Sequence, residues 1–141
     1  MSAQNVLVAH VAVTCFMAGV IWFVQVVHYP LMARVGSDGF SSYERAHTRL
    51  TGWIVAPAML AEASTALLLL WKAPPSVPPL QAWVGVGILA AIWLSTATLQ
   101  VPQHRALERG FDARSHTRLV RTNWIRTSAW TLRSLLVLAW I

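Results

Sequence analysis

The feature that constrains this chain most is the distribution of its charged side chains. Residues 1–33 contain none, and neither do residues 73–104. Between Leu50 and Trp71 the only interruption is Glu62, and beyond Arg121 the charges are Arg126 and Arg133. A helix needs about 20 mostly apolar residues to cross a bilayer, and in lipid a lone strand or loop would leave its backbone polar groups unpaired. The pattern predicts an all-α, integral-membrane four-helix bundle forming a single domain over 1–141, with crossings near 6–27, 51–71, 82–100 and 122–141. Composition agrees: 56% of residues are hydrophobic and 11% are charged, against about 25% charged in soluble domains. Cys15 is the sole cysteine, so a disulfide scaffold is excluded. The first span reads as a retained helix, because no basic leader precedes it and no small-residue cleavage site follows.

Arginines set the expected topology. Arg34, Arg45 and Arg49 fall between spans one and two. Arg105, Arg109, Arg114, Arg118 and Arg121 fall between spans three and four, whereas the proline-rich connection at 72–81 holds only Lys72. The positive-inside rule places both arginine-bearing connections in the cytoplasm and both termini outside. That predicts a multi-pass protein of a bacterial-type inner (plasma) membrane. The net charge of +6 then belongs to the membrane edge and its anionic lipid headgroups, not to nucleic acid. The connection after span one continues as helix from about Phe40, with Ser37 or Asp38 as its N-cap. Pro57 is expected to bend span two. Trp53, Trp71, Trp83 and Trp140 fit an interfacial belt, and Trp22 and Trp93 fit the core.

An ionisable group inside a span costs about 2.5 kcal/mol or more unless it is partnered. Glu62 and Arg133 each lie midway along spans entered from the same side, so they are expected to pair, either structurally or as part of a substrate site. His28, His47, His104 and His116 all fall at the arginine-rich end. His10 lies about 27 Å from His28 along the helix and belongs elsewhere. Gln25 and His28, Glu44 and His47, and Gln100 and His104 have helical spacings that put each pair on one face. A mononuclear iron or copper ion held by His28, Glu44, His47 and His104 is chemically reasonable, while interfacial histidines with no common site are the plainer alternative. A standard di-iron centre is disfavoured, since Glu-x-x-His occurs once. In span four, Asn123, Arg126, Trp130 and Arg133 form a stripe too polar for lipid. It is either a packing surface or a wall for a substrate carbonyl or anion, with Trp124 or Trp130 as an apolar surface for a ring.

Three segments carry a family resemblance: Gln25-Val26-Val27-His28-Tyr29-Pro30-Leu31, Val101-Pro102-Gln103-His104-Arg105-Ala106-Leu107, and Leu119 to Arg126 with Arg133 beyond. The chain resembles the anthrone-oxygenase-like family of small four-helix membrane proteins, with Tyr29 inserted between His and Pro and Gln103 at a position where the family tends to have Asn. The resemblance implies an oxygenase-type fold with a pocket for a flat aromatic or similar lipophile. The resulting expectation is a small membrane oxidoreductase. His28, His104 and Arg126 would be catalytic, and Gln25, Glu62, Gln100, Asn123, Trp124 and Arg133 would surround the substrate. The competing expectation is a non-catalytic subunit of a larger membrane complex or a homo-oligomer.

Overall fold

The computed structural model describes residues 2–141 and is helical nearly throughout. Helix α1 (Ala3–Phe23) runs through a π-helical turn (Val24–His28) into the short α2 (Tyr29–Met32). Helix α3 (Ser37–Trp71) follows, then α4 (Pro79–Ser95), a second π-helical turn (Thr96–Gln100), α5 (Val101–Leu107) and finally α6 (Ala113–Leu138). Four long rods result. Each packs on the next in the chain, and α6 closes the ring against α1.

Three of the rods, Ala3–Met32, Ser37–Trp71 and Pro79–Leu107, are long and apolar enough to cross a membrane, which suggests a multi-pass membrane protein. At 35 residues α3 is about 52 Å long, more than a bilayer core of about 30 Å, so its first third extends beyond the apolar span. Helix α6 is of comparable length but carries Arg114, Arg118, Arg121, Arg126 and Arg133. It does not reach the apolarity of the other three. Its inward face carries the polar residues, with Asn123, Thr127 and Arg133 buried.

Local chemistry explains the breaks. Pro30 and Pro102 lack an N–H, and each ring would meet the carbonyl four residues earlier. The chain widens just before each proline, and Tyr29 and Val101 donate to carbonyls five residues back, at Val24 and Thr96. Helix α3 starts from Gly36, not from a side-chain cap; Ser37 and Asp38 bond each other in its first turn. Helix α6 is capped by Asp112, which accepts from the Ser115 amide at 2.7 Å. Gly110, with φ +144°, makes the turn between α5 and α6 that other residues rarely adopt.

The interior has two apolar clusters, one around Met17, Phe40 and Trp130 and one around Leu7, Leu69 and Val137. A polar layer includes the expected pair. Glu62 Oε1 accepts from Arg133 Nε at 3.0 Å and from the Thr14 hydroxyl at 3.0 Å, while Oε2 accepts from Trp130 Nε1 at 3.0 Å. Arg133 Nη1 donates to the Gly85 carbonyl, and Nη2 lies 3.4 Å from His10 Nε2. His10 Nδ1 meets Thr65 Oγ1 at 2.9 Å. The guanidinium packs against α4 at Gly85, where an added Cβ would meet Arg133 Nη1 at an ordinary contact distance of 3.5 Å.

Three tryptophans depart from expectation. Trp140 is buried against His10 and donates to Gln81 at 2.7 Å, so it is not part of a belt. Trp22 and Trp93 face outward, about 40% exposed, instead of filling the core.

Removing one partner of a buried ion pair costs about 3–5 kcal/mol, whereas replacing both with apolar residues is often close to neutral. Arg133→Met is therefore expected to destabilise the bundle by about 3–5 kcal/mol in thermal unfolding of detergent-solubilised protein. The Glu62→Leu/Arg133→Leu double variant should recover at least half of that loss. Purely additive losses would rule out the coupling.

Candidate functional site

The arginine-rich end of the bundle gathers side chains from all four rods. The π-helical turn brings His28 and Tyr29 around from α1. Successive turns of α3 present Tyr43, Glu44, His47 and Thr51, α5 presents His104, and α6 presents Arg126 and Trp130. The imidazoles expected to meet do so. His28 and His47 stack with ring centres 4.2 Å apart, and His47 and His104 are 5.5 Å apart.

His104 is held from both sides. Its Nδ1 lies 2.5 Å from Glu44 Oε1, and its Nε2 lies 3.1 Å from the Tyr29 hydroxyl. With Glu44 as a carboxylate, Nδ1 carries a proton and donates it, and Nε2 accepts from Tyr29 O–H. The Tyr29 backbone is fixed in turn by His116 Nε2, 2.8 Å from its carbonyl oxygen. Glu44 is fully buried, and its second oxygen, Oε2, has no hydrogen-bond partner. An unsatisfied buried acceptor costs about 1–3 kcal/mol, and more when charged, so such an atom calls for an explanation.

Arg126 is braced, not paired. Its Nε donates to Asn123 Oδ1 at 2.9 Å and its Nη1 to Thr96 Oγ1 at 3.3 Å, and the guanidinium sits 5.8 Å from the centre of the Trp130 ring. Asn123 donates to Gln25 at 2.7 Å, and Gln25 donates to the Val120 carbonyl at 3.2 Å. Among the described residues the side-chain ion pairs are Glu44–His104 and Glu62–Arg133. Arg126 has no carboxylate partner.

These groups border a cavity of about 290 Å³. Tyr29, His47, His104 and Arg126 form its polar part; Met17, Ile21, Val55 and Trp130 form its apolar part; Arg105 and Glu108 also border it. An apolar chamber with a few convergent polar groups is the usual form of a small-molecule site. Glu108 also ties α5 to α3, accepting from Thr48 at 3.1 Å through its side chain and from Arg45 at 3.2 Å through its carbonyl.

The other residues singled out from sequence lie elsewhere. His28 borders a neighbouring groove. Gln25 and Asn123 are buried behind Arg126, and Gln100 is buried between Ser95 and Thr122. Trp124 is 46% exposed and packs edge-on against Trp22, outside the chamber. Glu62 and Arg133 bond each other in the separate polar layer, next to a space of only about 10 Å³. Tyr29 is the main residue that sequence reasoning passed over as a chemical group. Its place between His28 and Pro30 was the available signal.

A metal would need several donors aimed at one point. Here both nitrogens of His104 are engaged, His47 Nδ1 lies 3.1 Å from the Thr51 hydroxyl, and His28 Nε2 faces Tyr43 at 3.5 Å. Among the described residues no group of three or more His, Cys, Asp or Glu side chains is disposed to hold a metal ion. The donor set expected for iron or copper therefore does not fit, although Glu44 Oε2 is free. The arrangement suits proton transfer, with a carboxylate orienting an imidazole whose far nitrogen meets a hydroxyl at the chamber wall.

His47 precedes the apolar span of α3. Burial, then the neighbouring His28 and His104, lower its pKa from 6.5 to about 3. A group held neutral in this way contributes stability in full above about pH 6.5 and loses it as pH falls towards about 3. Thermal unfolding measured from pH 7 to 4 should show this acid-side loss, and His47→Gln should flatten it. An unchanged slope would mean that His47 titrates normally. Comparison with protein-family models, characterised proteins and solved structures finds no match to this chain.

Proposed function

We propose that this chain is a small plasma-membrane enzyme of the oxygenase type, which removes a proton from a lipophilic, oxygen-bearing substrate in the chamber beside His104. The observation that carries this reading is the Glu44–His104–Tyr29 series, buried at Glu44 and Tyr29, ending at a cavity bordered by an arginine without a carboxylate partner. The arginine-bearing connections support a cytoplasmic position for this end, with both termini outside; in this reading α6 is a fourth crossing whose polar face is turned inward.

In this reading the substrate carbonyl oxygen lies against Arg126. Proton abstraction at a methylene carbon conjugated with that carbonyl through the aromatic ring leaves the electron pair on the oxygen as an enolate, which the guanidinium stabilises. The proton passes to the Tyr29 oxygen as the Tyr29 hydroxyl proton moves to His104 Nε2. Glu44 stabilises the imidazolium that forms. Gln25 and Asn123 position Arg126. The oxygenase part rests on the family resemblance and requires dioxygen as co-substrate. A methylene carbon becomes a carbonyl, one oxygen atom is retained, and the other leaves with the two hydrogens as water.

The test is dioxygen uptake by the purified protein in proteoliposomes supplied with an anthrone. Uptake is expected above the protein-free rate, with quinone formed in equal amount. Glu44→Gln should slow it by about 10²–10⁴-fold, the usual contribution of a positioned base. Tyr29→Phe should lower kcat, and Arg126→Gln should lower kcat/KM. Iron and copper in the active protein should be well below one per chain. Uptake that is absent, or indifferent to Glu44→Gln, would overturn the proposal; co-purifying membrane partners with no uptake would favour the accessory-subunit reading.

A further inference from the structure

The chamber has a neighbour. On the lipid-facing side, between α1 and α3, lies a groove of about 580 Å³. Val20 and Val24 of α1 and His47, Thr51 and Val55 of α3 border both spaces, so a single layer of side chains separates them. On α1 the groove extends from Cys15 to Val24, about 13 Å along the axis. Phe16, Phe23, Leu50 and Ile54 line it, and each is about half exposed. Gly19 lies in it, and a Cβ added there would meet nothing within 4 Å. The two compartments differ in chemistry. The groove is greasy apart from His28, His47, Thr51 and Cys15, whereas the chamber ends in a cation without a carboxylate.

We infer that chamber and groove are the two halves of one binding site, and that its ligand is a single-tailed acidic amphiphile. The head oxygen lies at Arg126, and the aliphatic chain passes between the Val20–Val24 edge of α1 and the Thr51–Val55 edge of α3 to lie in the groove. This rests on the proposed reading of the chamber as a ligand site and adds the shape of the ligand. Two arguments support it. An arginine in an apolar wall is stabilised by an opposite charge, and among the described residues no carboxylate lies within ion-pair distance of Arg126. A volume of about 290 Å³ is at the lower limit for a drug-sized ligand, so a longer molecule must extend beyond it. Charged Arg105 and Glu108 border the chamber on the α5 side, which leaves the α1–α3 seam as the apolar way out.

Photolabelling in nanodiscs tests this with two probes, dodecanoic acid and a 4-alkylphenol, each bearing a diazirine on the terminal carbon. Adducts mapped by mass spectrometry should concentrate on 15–24 and 50–55. The carboxylate probe alone would indicate a fatty-acid-like head, and the phenol alone a phenolic one; either supports the site. Gly19→Phe fills the groove and should reduce these adducts at least 10-fold, as should Arg126→Gln. Gly87→Phe, on the outer face of α4 where a Cβ also meets nothing, should leave them unchanged. Adducts spread over all outward faces, or unaffected by Gly19→Phe, overturn the inference. Oxygen uptake is scored separately: concentrated adducts without uptake refute the enzyme reading alone, and uptake with dispersed adducts refutes the two-part site alone.

Discussion

Within a bundle surrounded by lipid, a buried polar group must find its partner inside the protein, because no water is at hand to supply one. The rest of the structure follows from this constraint. It separates the polar residues of this chain into two groups of different character. Around Glu62, both carboxylate oxygens accept hydrogen bonds, Arg133 reaches three acceptors, and almost no space remains. Around His104, one oxygen of Glu44 is unpartnered, Arg126 lacks a carboxylate and a cavity is present. The first arrangement is what stabilising a fold requires. The second retains unsatisfied groups at an energetic cost, which is typical of places where a ligand or a proton is to be handled.

The two groups are connected through Trp130. Its indole N–H donates to Glu62, its ring lies beneath Arg126, and it walls the chamber. The Glu62 layer therefore sets the rotation of α6 and with it the position of Arg126. Further along, the prolines at 30 and 102 act in a parallel way. Each forces a wide turn, and these turns direct Gln25 and Gln100 into the interior, where they bond to α6.

Much of this was legible in the sequence because lipid penalises charge so heavily. The uncharged runs gave the rods, and Glu62 and Arg133 at matching depth gave their pairing. His28, His47 and His104 at one end gave the imidazole cluster. What escaped depended on rotation about helix axes, which composition does not encode. A π-helical turn rotates the side chains within and after it around the rod, and Gln25, inside the first such turn, bonds to Asn123 and the Val120 carbonyl. Trp22 and Trp124 found each other on the outside, while Trp140 went in to cover His10. His10 stands apart from the other histidines, and its contact with Arg133 depends on the guanidinium reaching between α1 and α4, a three-dimensional fact.

The account stands or falls on the state of one imidazole. Solid-state NMR of protein in lipid bilayers, with ¹⁵N-histidine and ¹³C-glutamate labels, reads both the tautomer of His104 and its distance to the Glu44 carboxylate. The account predicts a protonated Nδ1 about 2.5 Å from a carboxylate oxygen and an Nε2 free to accept a proton. A His104 protonated only at Nε2, with no Glu44 carboxylate in contact, would contradict it.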